Sequence, residues 1–210
     1  MKRVIRRGVF ETNSSSMHSI VVTKNELTND NHDDYFHVWG YSNKIHFWHG
    51  DIEFDRSPFE VLVTARDKLR YAYASFFGYE AREHVDEDGN PDDELRERME
   101  SFDSVVASVF DGYTGMDYYD SLNDDEWGYV DHESSSLLRD FLNKEDISLE
   151  EFLRNPKYIV VIDGDEYQVF KSMKEANLIN KDNLVMETYG WGDPIIYGRK
   201  DDANGRDSGV

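Results

Sequence analysis

The chain has no cysteine. That excludes disulfides and thiolate metal sites, and with them the disulfide-stapled class of small secreted domains. No apolar run approaches the ~18 residues of a membrane span, and no apolar signal segment follows Lys2 and Arg3. A reducing cytoplasm is the expected compartment. Cations are scarce too: 23 Lys and Arg stand against 44 Asp and Glu, for a net charge of -21. A general nucleic-acid binder needs the opposite balance, because neutralising phosphates takes Lys and Arg. Apolar residues make up only 39%, yet aromatics reach 14%. A core is therefore available, built from large rings, and the composition is not that of a disordered chain.

At 210 residues the length suits one domain. Residues 1–198 are expected to form it, with an acidic helical and loop elaboration at about 80–130 and a polar, Gly-rich tail at 199–210. The N-terminal part reads as β: Arg3 to Phe10, Ser19 to Thr23, and an aromatic hairpin from Tyr35–Trp39 and Lys44–Trp48. Ser57-Pro58-Phe59-Glu60 has the form of a capping box, which predicts a helix over 58–77 ended by Gly78. A second helix is predicted from Asn90-Pro91 through Leu95, Met99, Phe102 and Val106 to about Phe110, then an ordered loop over 111–130. Ser134–Leu142 and Leu149–Arg154 read as short helices, the latter capped by Ser148. Lys157–Ile162 reads as a buried strand, Asp163-Gly164 as a hairpin turn into 166–170, Met173–Leu178 as a short helix and Leu184–Tyr189 as a last strand. Strands at both ends around a helical middle predict an α+β fold with a mainly antiparallel sheet.

Acidity is regional. The excess of acid over base concentrates in residues 80–126, with Asp88, Asp92, Asp93, Glu94, Glu97, Asp124 and Asp125 among others, opposed only by Arg82, Arg96 and Arg98. Such a cluster either solvates the chain or faces a partner with a basic surface. Asp86 to Glu97 places oxygen side chains at positions 1, 3, 5, 7, 9 and 12, the register of a calcium loop. Position 6 of such a loop needs positive φ, and here it is Pro91, locked at negative φ. An acidic loop leading into a helix is the better reading, and no metal site is assigned. His46 and His49, three apart near a strand end, point to opposite faces and make a poor ligand pair. Glu187 to Pro194, with Gly190 and Gly192 beside Tyr189 and Trp191, reads as a turn with packed rings rather than a phosphate loop. No cofactor is implied.

The densest polar motif is Glu11-Thr12-Asn13-Ser14-Ser15-Ser16-Met17-His18-Ser19, set between two apolar segments. Two uses fit it. The hydroxyls and the Asn13 amide can satisfy backbone groups of a buried corner. Alternatively, the stretch floors a polar site. Arg6 and Arg7 would then hold an anion with Asn13, Ser14 and Ser15, and Ser16, His18 and Glu11 would supply nucleophile, base and carboxylate. His18 and Ser16 are expected on the exposed side of this motif.

Residues 6–19, Arg-Arg-Gly-Val-Phe-Glu-Thr-Asn-Ser-Ser-Ser-Met-His-Ser, resemble the opening signature of a group of bacteriophage and Gram-positive bacterial proteins without an assigned activity. That signature reads approximately R-x-G-x-F-E-T-N-S-S-S-T-H-S, and Met17 stands where the group has Thr. Gly50 to Phe54 and Asp67 to Tyr71 resemble a second, looser block of the same group. The resemblance implies a phage or prophage setting and, for a phage protein, the host cytoplasm. It brings no activity and no functional residues.

Two functions compete. In one, the acidic region binds a host protein through that protein's basic surface, without contacting nucleic acid or membrane. Host takeover, anti-defence inhibition or nucleic-acid mimicry would follow from such binding. In the other, the 6–19 motif binds or transforms a phosphate- or nucleotide-bearing substrate. Charge imbalance is a property of the chain itself, so the first is preferred.

Overall fold

In the computed structural model of the chain, the described residues are 18–23, 36–38, 42–54, 60–118, 128–131, 134–162 and 186–190. They are α+β. Strand β8 (Tyr158–Ile162) is an unbroken apolar run whose last four residues are all buried, which marks a strand covered on both faces. It pairs antiparallel with β1 (His18–Thr23), in the register His18 to Ile162 and Val22 to Tyr158. β9 (Met186–Gly190) lines the other side of β1, and β5 (Glu60–Leu62) the other side of β8. The main sheet thus runs β5-β8-β1-β9 and is antiparallel throughout.

The predicted aromatic hairpin forms, in shortened form, from β2 (His37–Val38) and β3 (Lys44–His46). The stretch at 111–130, expected as loop, supplies two short strands. β6 (Gly115–Met116) runs parallel to β3, and β7 (Tyr129–Val130) runs parallel to β4 (Glu53–Phe54). Helix α2 (Asp93–Val109) fills most of its predicted span but begins later than Asn90-Pro91, with Asp92 as N-cap and Pro91 bridged to Val85. α4 (Leu149–Arg154) matches its predicted span, and there the Ser148 hydroxyl accepts from Glu151 N–H at 3.1 Å. The helix predicted over 134–142 lies slightly later, as α3 (Leu137–Glu145).

The first helix requires a correction. It does not begin at Pro58: α1 runs Ala65–Phe77, and Glu60–Leu62 is strand β5. Val61, Leu62 and Val63 are all buried in succession, which suits a strand at the edge of a filled core. The operative capping box is Thr64 with Asp67. The Thr64 hydroxyl accepts from Asp67 N–H at 3.1 Å, and Asp67 Oδ2 accepts from Thr64 N–H at 3.1 Å and from its hydroxyl at 2.7 Å. Ser57 and Pro58 lie outside the described residues, as do the strand predicted at 3–10, the turn at 163–164, the return at 166–170 and the helix at 173–178. Gly78 does end α1, but for lack of room. Its φ is -75°, and a Cβ there would meet the Ala74 carbonyl oxygen and lie 2.7 Å from that of Gly128.

α1 is buried continuously from Asp67 to Ala74, so even Asp67, Lys68 and Arg70 are inside. Lys68 is inaccessible to water, and its Nζ donates to the carbonyls of Phe152 at 2.7 Å and Asn155 at 2.9 Å, at the C-terminal end of α4. Cations are favoured at that end of a helix, where carbonyls lack partners. Arg70 Nε donates to Asp51 O at 2.6 Å and its Nη1 to Glu60 at 3.1 Å, so one side chain ties α1 to β5 and to the 3₁₀ turn His49–Asp51. The core around α1 is a continuous set of rings: Tyr73 against Phe47, Phe77, Phe102 and Tyr118, and Phe77 against Phe102 at 5.1 Å. No helix among the described residues is long and apolar enough to cross a membrane.

Two measurements check this packing. Thr64→Ala should lower the urea unfolding free energy by about 1 kcal/mol, the usual worth of a lost cap. Burial pushes the Lys68 ammonium down to about 7, against the opposing pull of Asp67. Between about pH 7 and its ordinary value of 10.5, the unfolded chain therefore holds a proton that the folded chain has shed. Stability should rise with pH in that window, by up to about 1.4 kcal/mol per unit. Lys68→Met should remove that slope. Equal slopes in the two proteins would contradict the assignment.

Candidate functional site

The acidic region begins with a tight loop. Asp86 Oδ1 accepts from the backbone N–H of Asp88 at 3.0 Å and of Asn90 at 2.8 Å, and Gly89 turns the chain at φ 81°. Those bonds, from Asn90 foremost, hold the Asp86 carboxyl below its ordinary range. Val85 bridges Pro91, closing the loop as a small hairpin. The carboxylate that would open a calcium loop is thus turned onto its own backbone. Among the described residues no group of three or more His, Asp or Glu is placed to hold a metal ion.

α2 follows at once. Asp92 Oδ1 accepts from Leu95 N–H at 2.8 Å, and its Oδ2 lies 2.8 Å from His84 Nδ1. The first bond and then the second hold Asp92 below its ordinary range. Two carboxylates next in line are paired within the helix: Asp93 with Arg96 at 2.6 Å and Glu94 with Arg98 at 3.1 Å. Glu97 and Glu100 make no ion pair among the described residues and are exposed. Asp88 is exposed on the loop. Positions 93, 97 and 100 follow helical spacing, so their side chains share one face. The opposite face, Leu95, Phe102 and Val106, is buried, which fixes the orientation of the acidic one.

Seven acidic residues were singled out by sequence, and the structure divides them. Asp88, Asp93, Glu94 and Glu97 are exposed on this loop and helix, and Asp92 is the N-cap. Asp124 and Asp125 lie outside the described residues. Asp103, farther along α2, turns inward instead. It accepts from Met116 N–H at 2.8 Å and from the Tyr118 hydroxyl at 2.9 Å, and faces Lys44 at 3.7 Å. A Cβ on Gly115 would run into its carboxylate, so glycine is what lets β6 approach α2.

Of the polar motif, Arg6, Arg7, Glu11, Asn13, Ser14, Ser15 and Ser16 lie outside the described residues. His18 is placed, and it corrects the expectation of exposure: it is 1% exposed, at the head of β1. Its Nδ1 lies 3.2 Å from the hydroxyl of Tyr71, and the two rings meet edge-on at 5.7 Å. Asp131 is buried nearby, and burial first, then its negative charge, hold the Tyr71 phenol above its ordinary range. Tyr71 is therefore a neutral hydroxyl bonded to a buried histidine. Sequence reading missed Tyr71, because its partner His18 lies 53 residues away and no local pattern marks it, and with Tyr71 it missed Asp131. Phe54 also packs against Tyr71, at 5.3 Å.

Elsewhere a shallow open groove is lined by Ser148, Glu150, Glu151, Arg154, Asn155 and Pro156, none of which the sequence marked as a site. Arg154 there is bonded to Glu150 at 3.0 Å and to the Ser108 carbonyl, which ties α4 to the end of α2. Compared with known proteins, the chain matches no family model, no curated protein and no solved structure.

His18 and Tyr71 make one buried unit, and its test is thermodynamic. His18→Ala and Tyr71→Phe should each destabilise by about 1–3 kcal/mol, and the double variant by less than the sum. Unfolding free energies that are unchanged, or that add fully, would break the unit.

Proposed function

We propose that this chain is a protein-binding module whose acidic loop and first half of α2 engage the basic surface of a partner. One observation carries the reading. Between Asp86 and Glu100 the chain sets eight carboxylates against two arginines, and α2 holds part of that set on a face fixed by its buried side. Carboxylates on a rigid scaffold present charge without the entropy cost of ordering a loop. They resemble the phosphates that a nucleic-acid-binding surface expects, which makes mimicry of nucleic acid the natural form of the interaction. The resemblance of the 6–19 motif to a phage-associated signature supports a bacterial host protein as the partner, and a host-takeover or anti-defence role as the consequence. The competing reading, chemistry at the polar motif, draws less support. His18 is buried and occupied by Tyr71.

The face has a built-in distinction between carboxylates. Asp92 caps α2, so reversing it would loosen the helix as well as the surface. Glu97 and Glu100 carry no such duty. Glu97→Lys with Glu100→Lys should therefore weaken binding of an octa-lysine peptide about tenfold or more while leaving the melting temperature within a few degrees. Reversal of Glu145 and Glu151, on α3 and α4, should weaken it less. Wild-type binding should fall steeply between about 50 and 200 mM salt. Salt-insensitive binding, or equal losses in the two double variants, would contradict the proposal.

A further inference from the structure

Two large apolar side chains stand out into water among the described residues: Trp48 at 46% and Val38 at 45% exposure. Both belong to the β2–β3 hairpin or its exit. The Trp48 indole is held in place. Its backbone N–H donates to Asp51 Oδ2 at 3.0 Å, the His46 ring meets it edge-on at 4.8 Å, and the His37 ring tilts against it at 5.7 Å. His37 Nε2 lies 3.5 Å from the same Asp51 oxygen. A fixed aromatic face thus sits beside the Asp51 carboxylate, which is half-buried.

The hairpin is continuous with the acidic helix. Lys44 faces Asp103 of α2, and Phe36 packs on Phe110, the C-cap of α2, at 5.0 Å. Trp48 and the acidic face are therefore parts of one body. The chain also shows how it handles cations on rings: Arg66 lies 4.6 Å over Phe36 and Arg70 5.3 Å over Phe54. Indole is the ring that binds a cation best, and guanidinium, planar and weakly hydrated, is the cation that stacks best. Tryptophan is also the residue type most enriched among the few that dominate an interface.

We propose that Trp48, with Asp51 beside it, is the anchor for an arginine side chain of the basic partner. This rests on the acidic-surface reading and narrows it: the partner presents guanidinium rather than ammonium at this point. The guanidinium lies on the indole face, and the Asp51 carboxylate supplies the opposing charge at its edge.

The test compares octa-arginine with octa-lysine by calorimetric titration at two salt concentrations. Wild type should bind octa-arginine more tightly. Trp48→Ala should weaken octa-arginine about three- to tenfold and octa-lysine less than twofold, with Trp48→Phe between. The dependence on salt should stay as in wild type, because no charge is lost. Should Trp48→Ala disturb the hairpin and melt early, Trp48→Phe carries the comparison. Octa-arginine affinity unchanged in both Trp48 variants, but lost in the Glu97 and Glu100 double reversal, overturns the anchor and leaves the acidic face standing. Wild type that binds neither peptide overturns both.

Discussion

A helix with a central stretch closed to water organises this fold. α1 is buried on all sides from Asp67 to Ala74, although its sequence there carries an acid, a lysine and an arginine. Buried charges are tolerated only when bonded, because desolvation otherwise costs several kcal/mol per ion. Four of the buried polar side chains on α1 accordingly make bonds that fix the chain around it. Asp67 closes the start of the helix, and Lys68 holds the end of α4. Arg70 holds the 3₁₀ turn and β5, and Tyr71 holds the head of β1. The apolar rings fill the volume between these fasteners and contribute most of the stability, while the polar bonds set which segment lies where.

That arrangement explains what could be read from the sequence. β8 and β1 were legible because buried strands write long β-branched runs. α2 and α4 were legible because Leu95, Phe102 and Val106 repeat at helical spacing and Ser148 sits where a cap belongs. The start of α1 was not. Ser57 to Glu60 matches a capping box formally, but Glu60–Leu62 gains sheet partners in Val160 to Ile162, which no local pattern announces. The two-residue strands β4, β6 and β7 are defined wholly by distant partners. The burial of His18 belongs to the same class, since Tyr71 decides it.

In its described part, residues 80–118, the acidic region is more ordered than a charge count suggests. Its carboxylates divide the work. Asp86 and Asp92 shape the loop and the helix start, Asp103 pins β6 and Tyr118, and Asp93 and Glu94 lean on arginines of their own helix. Asp88, Glu97 and Glu100 stay exposed without such bonds, and the hairpin packed on the later half of α2 carries an exposed tryptophan. Solubility alone needs charge but not charge held in register on a fixed face, and it does not need the tryptophan.

The most direct test of this account is a map of where a basic ligand touches the protein. Backbone amide shifts of the labelled protein, followed during titration with an arginine-rich peptide, should move at residues 86–100 and 46–51. They should stay still along the groove of α4 at 148–156. Shifts that concentrate on that groove, or that spread evenly over every acidic residue, would contradict it.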